Sequence, residues 1–193
     1  MEIVHYPHPA LRWKSSDVRQ IDANLRKTVR EMFDLMYAAK GIGLAANQVA
    51  LPLRLFIVNP TGEAGQPEEE HVFINPVITN RKGAEIGEEG CLSLPGLYSD
   101  VRRAETIVVD AFDIDGQPIR ATLSELPARL VQHETDHLDG VLFIDRLEES
   151  LRREVDAKLT DFETRFRKQQ AAGEIPHDEE LLERLKSFGE SAA

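Results

Sequence analysis

His133-Glu134-Thr135-Asp136-His137 sets two imidazoles four residues apart with an acid beside the first. On a helix that spacing puts both rings on one face, where both can reach a single metal ion. Glu134 then stands where it can take a proton from a water on that ion. A catalytic metal site needs a third protein ligand and an open position. Downstream, the longer pattern HExxHxxGxxH is followed as far as Gly140, but its last position holds Phe143, which cannot ligate. Glu148, Glu149 and Glu154 lie in a charged run that solvent would claim. Upstream, Glu89-Gly90-Cys91-Leu92-Ser93 carries the only cysteine. Gly90 permits close backbone approach, and a thiolate suits Zn²⁺ or Fe²⁺. The competing reading of the pentad is a solvated surface helix with two incidental histidines. For Cys91 it is a small buried hydrophobe.

The elements that must hold these groups can be read around them. Ser124 is a candidate N-cap for a helix running to about Leu138, with Pro127 in its first turn and Gly140 at its end. An earlier helix is predicted over about 22–39, capped by Asp22, with Leu25, Val29, Met32, Phe33 and Met36 on one stripe and Gly41 terminating it. Residues 53–58 and 72–79 read as strands separated by an exposed acidic loop, 61–70. Residues 106–112 and 118–123 read as a hairpin turned at Asp115-Gly116. Residues 83–100, rich in glycine and proline, read as irregular with short strand pieces, and 5–12 as an extended lead-in. Leu151, Val155, Leu159, Phe162 and Phe166 form the stripe of an amphipathic helix, and 173–176 separates it from a short helix at about 178–188. The expected fold is α+β: antiparallel or mixed sheets packed around a central helix bearing the pentad. Residues 1–149 would form the catalytic domain and 150–193 a C-terminal helical extension.

Composition bounds the function. The 193 residues suit one domain with an appendage and are enough to bury a core. With 23 Lys and Arg against 34 Asp and Glu, the net charge of −11 argues against general nucleic-acid binding, so no DNA partner is expected. A single cysteine excludes an intramolecular disulfide. No basic-then-apolar leader and no apolar run approaching about 18 residues is present, so the expectation is a cytoplasmic protein with no membrane partner.

Three motifs, in order, resemble those of the peptide deformylase family. Gly41-Ile42-Gly43-Leu44-Ala45-Ala46-Asn47-Gln48 is similar to GxGxAAxQ, Glu89-Gly90-Cys91-Leu92-Ser93 to EGCxS, and His133-Glu134-Thr135-Asp136-His137 to HExxDH. The resemblance spans most of residues 5–147. It departs at His8, where the family often has aspartate, and at Thr135, where it usually has an apolar residue. It implies one divalent metal per chain, normally Fe²⁺, held by Cys91, His133 and His137 with water as fourth ligand. It also implies removal of the formyl group from N-formylmethionyl nascent chains in bacteria and organelles.

The residues suit that chemistry. An ion at such a site lowers the pKa of a water from about 16 to about 7. Glu134 would accept the water proton and hand it to the leaving amine. The Gln48 amide and the Leu92 backbone N–H would donate to the oxyanion. Ile42 and Gly43 could present backbone groups to an extended peptide, and Ile86, Leu92, Leu130 and His133 are candidate walls for the methionine side chain. A buried Asp136 would need a cation, for which Arg103 is the candidate. Gly41-x-Gly43-x-x-Ala46 also approximates a dinucleotide fingerprint, but a predicted helix precedes it and Pro52 soon follows, the wrong context.

Two other classes remain in view. One is a zinc metallopeptidase cutting internal bonds, against which Phe143 counts. The other is a non-catalytic module on ribosomes, against which the retention of Glu134 and Gln48 counts. Six Lys or Arg against four acids in 150–171 leave open a ribosomal RNA contact and a dimer seam. Fe²⁺, Zn²⁺ and Ni²⁺ all suit one thiolate and two imidazoles, and a ligating Cys91 would be an oxidation-sensitive point.

Overall fold

Alternation along one short apolar strand and the apolar start of a longer one decides how the layers stack. The computed structural model describes residues 1–191. In it β1 (Gly43–Ala45), β2 (Leu55–Val58), β3 (His71–Lys82), β6 (Thr106–Phe112) and β7 (Pro118–Ser124) form one five-stranded sheet in that order. Leu55, Ile57, Val72 and Ile74 pack with Val29, Met32 and Met36 of α1 (Ala23–Ala38). The alternate residues Phe56, Val58 and Phe73 pack with Ala128, Val131 and Leu138 of α2 (Glu125–Leu138). A separate hairpin of β4 (Glu85–Cys91) and β5 (Leu94–Arg103) meets another side of α2. Gln132 on α2 secures that seam: its Oε1 accepts from the Ala104 N–H at 3.0 Å and its Nε2 donates to the Ala104 carbonyl at 2.9 Å. Every pairing between named strands is antiparallel, so the α+β expectation holds in its antiparallel form.

A third apolar cluster joins Leu11, Leu94, Leu97 and Phe143 to Val155 and Leu159 of α3 (Glu149–Ala171). The α3 stripe thus packs on the body of the protein, and α4 (Asp178–Ser191) adds buried Leu181 and Leu185. Five of the six basic side chains on α3 are engaged within the chain. Arg152 pairs with Asp156, Arg153 with Glu149 and Arg167 with Asp178; Lys158 donates to the Gly96 carbonyl and Arg165 lies over Phe162.

Several local expectations hold and several are corrected. Asp22 caps α1, accepting from the Leu25 N–H at 2.8 Å. Lys40, with φ 57°, makes the left-handed turn after α1 instead of Gly41. Gly41 is needed for another reason: a Cβ there would stand 2.6 Å from Leu92 Cδ1. Ser124 precedes α2 but makes no capping bond, because its hydroxyl meets that of Thr106 across the β6–β7 pair at 3.0 Å. Gly140 follows α2 as expected, with φ +72° and the Arg12 carbonyl oxygen 2.6 Å from where its Cβ would be. The β6–β7 turn at Asp115-Gly116 forms as predicted.

The largest correction is 83–100, which is the long β4–β5 hairpin and not an irregular segment. Its glycines make room for side chains lying over the strands. A Cβ on Gly87 would meet Arg129 Nη2 at 3.0 Å, and one on Gly90 would meet Tyr98 Cε1 at 2.5 Å. The lead-in is extended only in part. The Val4 and Tyr6 N–H groups donate to the Gln48 and Ser93 carbonyls at 2.8 and 3.0 Å. A 3₁₀ turn, Pro9–Arg12, then follows, capped by His8 Nδ1 accepting from the Ala10 N–H at 3.1 Å.

Burial holds the His8 imidazole down at about 4, against the opposing pull of Asp178. The unfolded chain takes up a proton near its ordinary value of 6.5 while folded His8 stays neutral. Stability is therefore whole above about pH 6.5 and falls by up to roughly 3 kcal/mol as the pH drops to about 4. His8→Asn keeps a neutral capping acceptor and removes this titration. The loss in urea midpoint between pH 7 and about pH 4.5 should shrink in the variant; an undiminished loss would refute the assignment.

Candidate metal centre

One side of α2 gathers the pentad. His133, Glu134 and His137 are buried there, and Cys91 arrives from the end of β4. One ligand atom from each of Cys91, His133 and His137 falls within 4.8 Å of the others, and Cys91 Sγ is 3.3 Å from His137 Nε2. Tetrahedral bonds of about 2.3 Å to sulfur and about 2.1 Å to nitrogen would set such atoms about 3.6 Å apart, so the trio fits a divalent ion. The His133 ring is already oriented to ligate, because its Nδ1 sits 2.9 Å from Glu89 Oε2, which leaves Nε2 for an ion. Phe143, at the position where a further histidine would ligate in the longer pattern, is buried and stacks on His133 with ring centroids 6.2 Å apart. Glu148, Glu149 and Glu154 are exposed and take no part in the group.

Glu89 is the functional residue that motif reading leaves without a role. Its side chain is only 4% exposed. Arg103 donates to both its oxygens at 2.9 Å and Arg129 Nη1 to Oε1 at 2.8 Å. Burial alone would raise its pKa, but the bonds from Arg103 and His133 outweigh burial and hold it well below the usual carboxylate range. Arg103 also pairs with Asp136, as expected, and Arg146 adds bonds of 2.7 and 3.1 Å to the same carboxylate. Thr135 is accommodated because its hydroxyl donates to the Val131 carbonyl at 2.6 Å, one turn back. Asn47 donates to the His137 carbonyl from the turn that follows β1.

The reactive groups face a cavity of about 640 Å³ lined by Ile42, Gly43, Gln48, Leu92, Leu130 and Glu134 among others. Glu134 is 3% exposed, and its Oε2 has no hydrogen-bond partner. Burial pushes this carboxyl up to about 7, against the pull of His133. Its other oxygen, Oε1, would lie 2.4 Å from a Cβ on Gly43, so any larger residue there must displace the carboxyl. Gln48 is pinned at one end, where Oε1 accepts from the Ala45 N–H at 2.8 Å. That leaves its Nε2 donating to Ser93 Oγ at 3.2 Å and 3.4 Å from Cys91 Sγ. Ile86 is the candidate that the structure removes. It is 65% exposed and absent from the cavity lining, near the start of β4 and away from the end that carries Cys91.

A sequence model of the family described as polypeptide deformylase matches residues 1–153. The chain belongs to the peptide deformylase family. It is 44% identical over 183 residues to a peptide deformylase of Rhodopirellula baltica, an alignment that covers 95% of this chain and 90% of that one. It is 45% identical to the chloroplastic peptide deformylase 1B of Solanum lycopersicum, covering 86% of this chain and 60% of the relative. Among solved structures it resembles Arabidopsis thaliana peptide deformylase 1B in complex with an inhibitor. That match has a TM-score of 0.84 and 42% identity, and covers 89% of this chain and 94% of the other. Cys91, His133 and His137 form a group that could hold one metal ion. Cys91→Ala should bind a divalent ion at least about tenfold more weakly in competition with a chelating dye. Equal affinity in variant and parent would remove Cys91 from the ligand set.

Proposed function

We propose that this chain removes the formyl group from the N-terminus of newly made N-formylmethionyl polypeptides, with Glu134 as the proton carrier. The observation carrying this reading is the buried, unpartnered Glu134 oxygen on a cavity wall shared with Gln48, beside the Cys91, His133 and His137 group. A divalent ion held by those three side chains supplies Lewis-acid chemistry that acidifies water and polarises a carbonyl. Fe²⁺ is the proposed ion. The bacterial cytoplasm is the proposed location, supported by the bacterial relatives, and no helix among the described residues is long and apolar enough to cross a membrane.

A carboxyl near pH 7 suits a group that must both take and return a proton. Glu134 accepts a proton from the attacking water as its oxygen adds to the formyl carbon. Gln48 Nε2 and the Leu92 N–H donate to the oxyanion that develops on the formyl oxygen. As the carbon–nitrogen bond breaks, Glu134 returns the proton to the leaving amine and formate departs. Backbone groups of Ile42 and Gly43 align the peptide, and Leu92, Leu130 and His133 enclose the methionine side chain. Residues 1–149 are assigned to catalysis and 150–193 to the helical extension. The proposed partner is the N-formylmethionyl nascent peptide.

The test is anaerobic purification with metal analysis, then formate release from a formyl-Met peptide, with an unformylated internal peptide as control. Formate from the first and no cleavage of the second is expected; the reverse would favour a peptidase. Glu134→Ala should retain the metal and lose at least about a hundredfold in turnover, and a variant releasing formate at the parent's rate would overturn the mechanism. Gly43→Ala should displace the Glu134 carboxyl and cost on the order of a hundredfold in turnover with metal content unchanged. Unimpaired turnover would show that the carboxyl tolerates the displacement.

A further inference from the structure

Arg129 is a buried cation on the lining of the same cavity, with no part in the proton transfers. It lies four residues before His133 and eight before His137, on the same side of α2. Its Nη1 donates to Glu89 Oε1 at 2.8 Å, to the Val101 carbonyl at 2.9 Å and to the Gly87 carbonyl at 3.3 Å. Its Nη2 donates to the Glu85 carbonyl at 3.2 Å. One guanidinium from the histidine-bearing helix therefore grips both strands of the hairpin that carries Cys91.

We propose that Arg129 is a positioning residue: acting through Glu89, it seats the Cys91 hairpin on α2 and so sets the thiolate against the two imidazoles. Three observations carry this. Among the described residues the hairpin pairs with no further strand, so its placement on α2 depends on packing and on tethers such as this one. Glu89, which Arg129 holds from one side, orients the His133 ring from the other. Gly87 leaves the guanidinium space to lie against β4, with Nη2, Cζ and Nε all 3.0–3.2 Å from where a Cβ would be. The inference rests on the reading of Cys91, His133 and His137 as ligands.

The test uses the full chain loaded with Co²⁺, whose bond to a thiolate gives a charge-transfer absorption band. Arg129→Met should speed loss of Co²⁺ to a chelator by about 10–100-fold and shift that band. It should also lower kcat for formate release while moving KM less than about threefold. Arg129→Lys restores charge opposite Glu89 without the fork and should recover only part of the loss. In a Glu89→Gln background, Arg129→Met should add less than about threefold, because the two act as a unit. If Arg129→Met does not fold, Gly87→Ala, which crowds the guanidinium without removing it, should change metal loss and the band in the same direction and decides the matter. Parent-like metal loss and band in the deciding variant, or a full additive effect on Glu89→Gln, would overturn the inference alone. Absence of the thiolate band in the loaded parent would overturn the ligand assignment and this inference with it.

Discussion

A single carboxylate buried between two guanidiniums and an imidazole governs how this protein assembles its site. Taking a charge out of water costs several kcal/mol unless its partners are well placed. Glu89 meets that condition with Arg103 across both oxygens, Arg129 on one and His133 on the other. Its partners come from β5 and from α2, so satisfying one carboxylate brings the hairpin and the helix to one relative placement. Apolar contact alone would permit sliding along that seam, whereas directional bonds to a fork-shaped group do not.

The same constraint explains the division of labour on α2. The Ala128, Val131 and Leu138 side meets the five-stranded sheet and provides the non-directional burial that holds the helix in place. The Arg129, His133 and His137 side carries polar chemistry and is covered in part by Phe143 and the hairpin. Lowered solvent access strengthens each electrostatic contact within the site and raises the proton affinity of Glu134, whose buried Oε2 has no hydrogen-bond partner.

Features legible in the sequence are those that follow local spacing. The pentad, the Asp22 cap, the α1 stripe and the Asp115-Gly116 turn each lie within a few residues and obey a helical or hairpin rule. The departure at 83–100 has a physical cause. Gly87 and Gly90 look like flexibility when read locally, yet they are clearances for Arg129 and Tyr98, which approach from another helix and another strand. Glu89 stands inside a family motif with no evident role because its partners, at 103, 129 and 133, share no period with it. Ile86 is misplaced by sequence reasoning because its exposure follows from a strand pairing that spacing alone does not reveal. Arg129 does leave a trace in its spacing of four from His133, but a lone arginine on a helix gives no sign of what it reaches.

The thiolate comes from a different layer than the two histidines, some forty residues earlier in the chain. A divalent ion seated among them is therefore a cross-link as well as a reagent. It closes a long loop whose entropy the unfolded chain would otherwise recover, and it does so across the seam that has no strand pairing to hold it. Binding energy for the ion is thereby also cohesion between hairpin and helix. An oxidant that takes the sulfur of Cys91 would strike twice, removing the reagent and undoing the clasp.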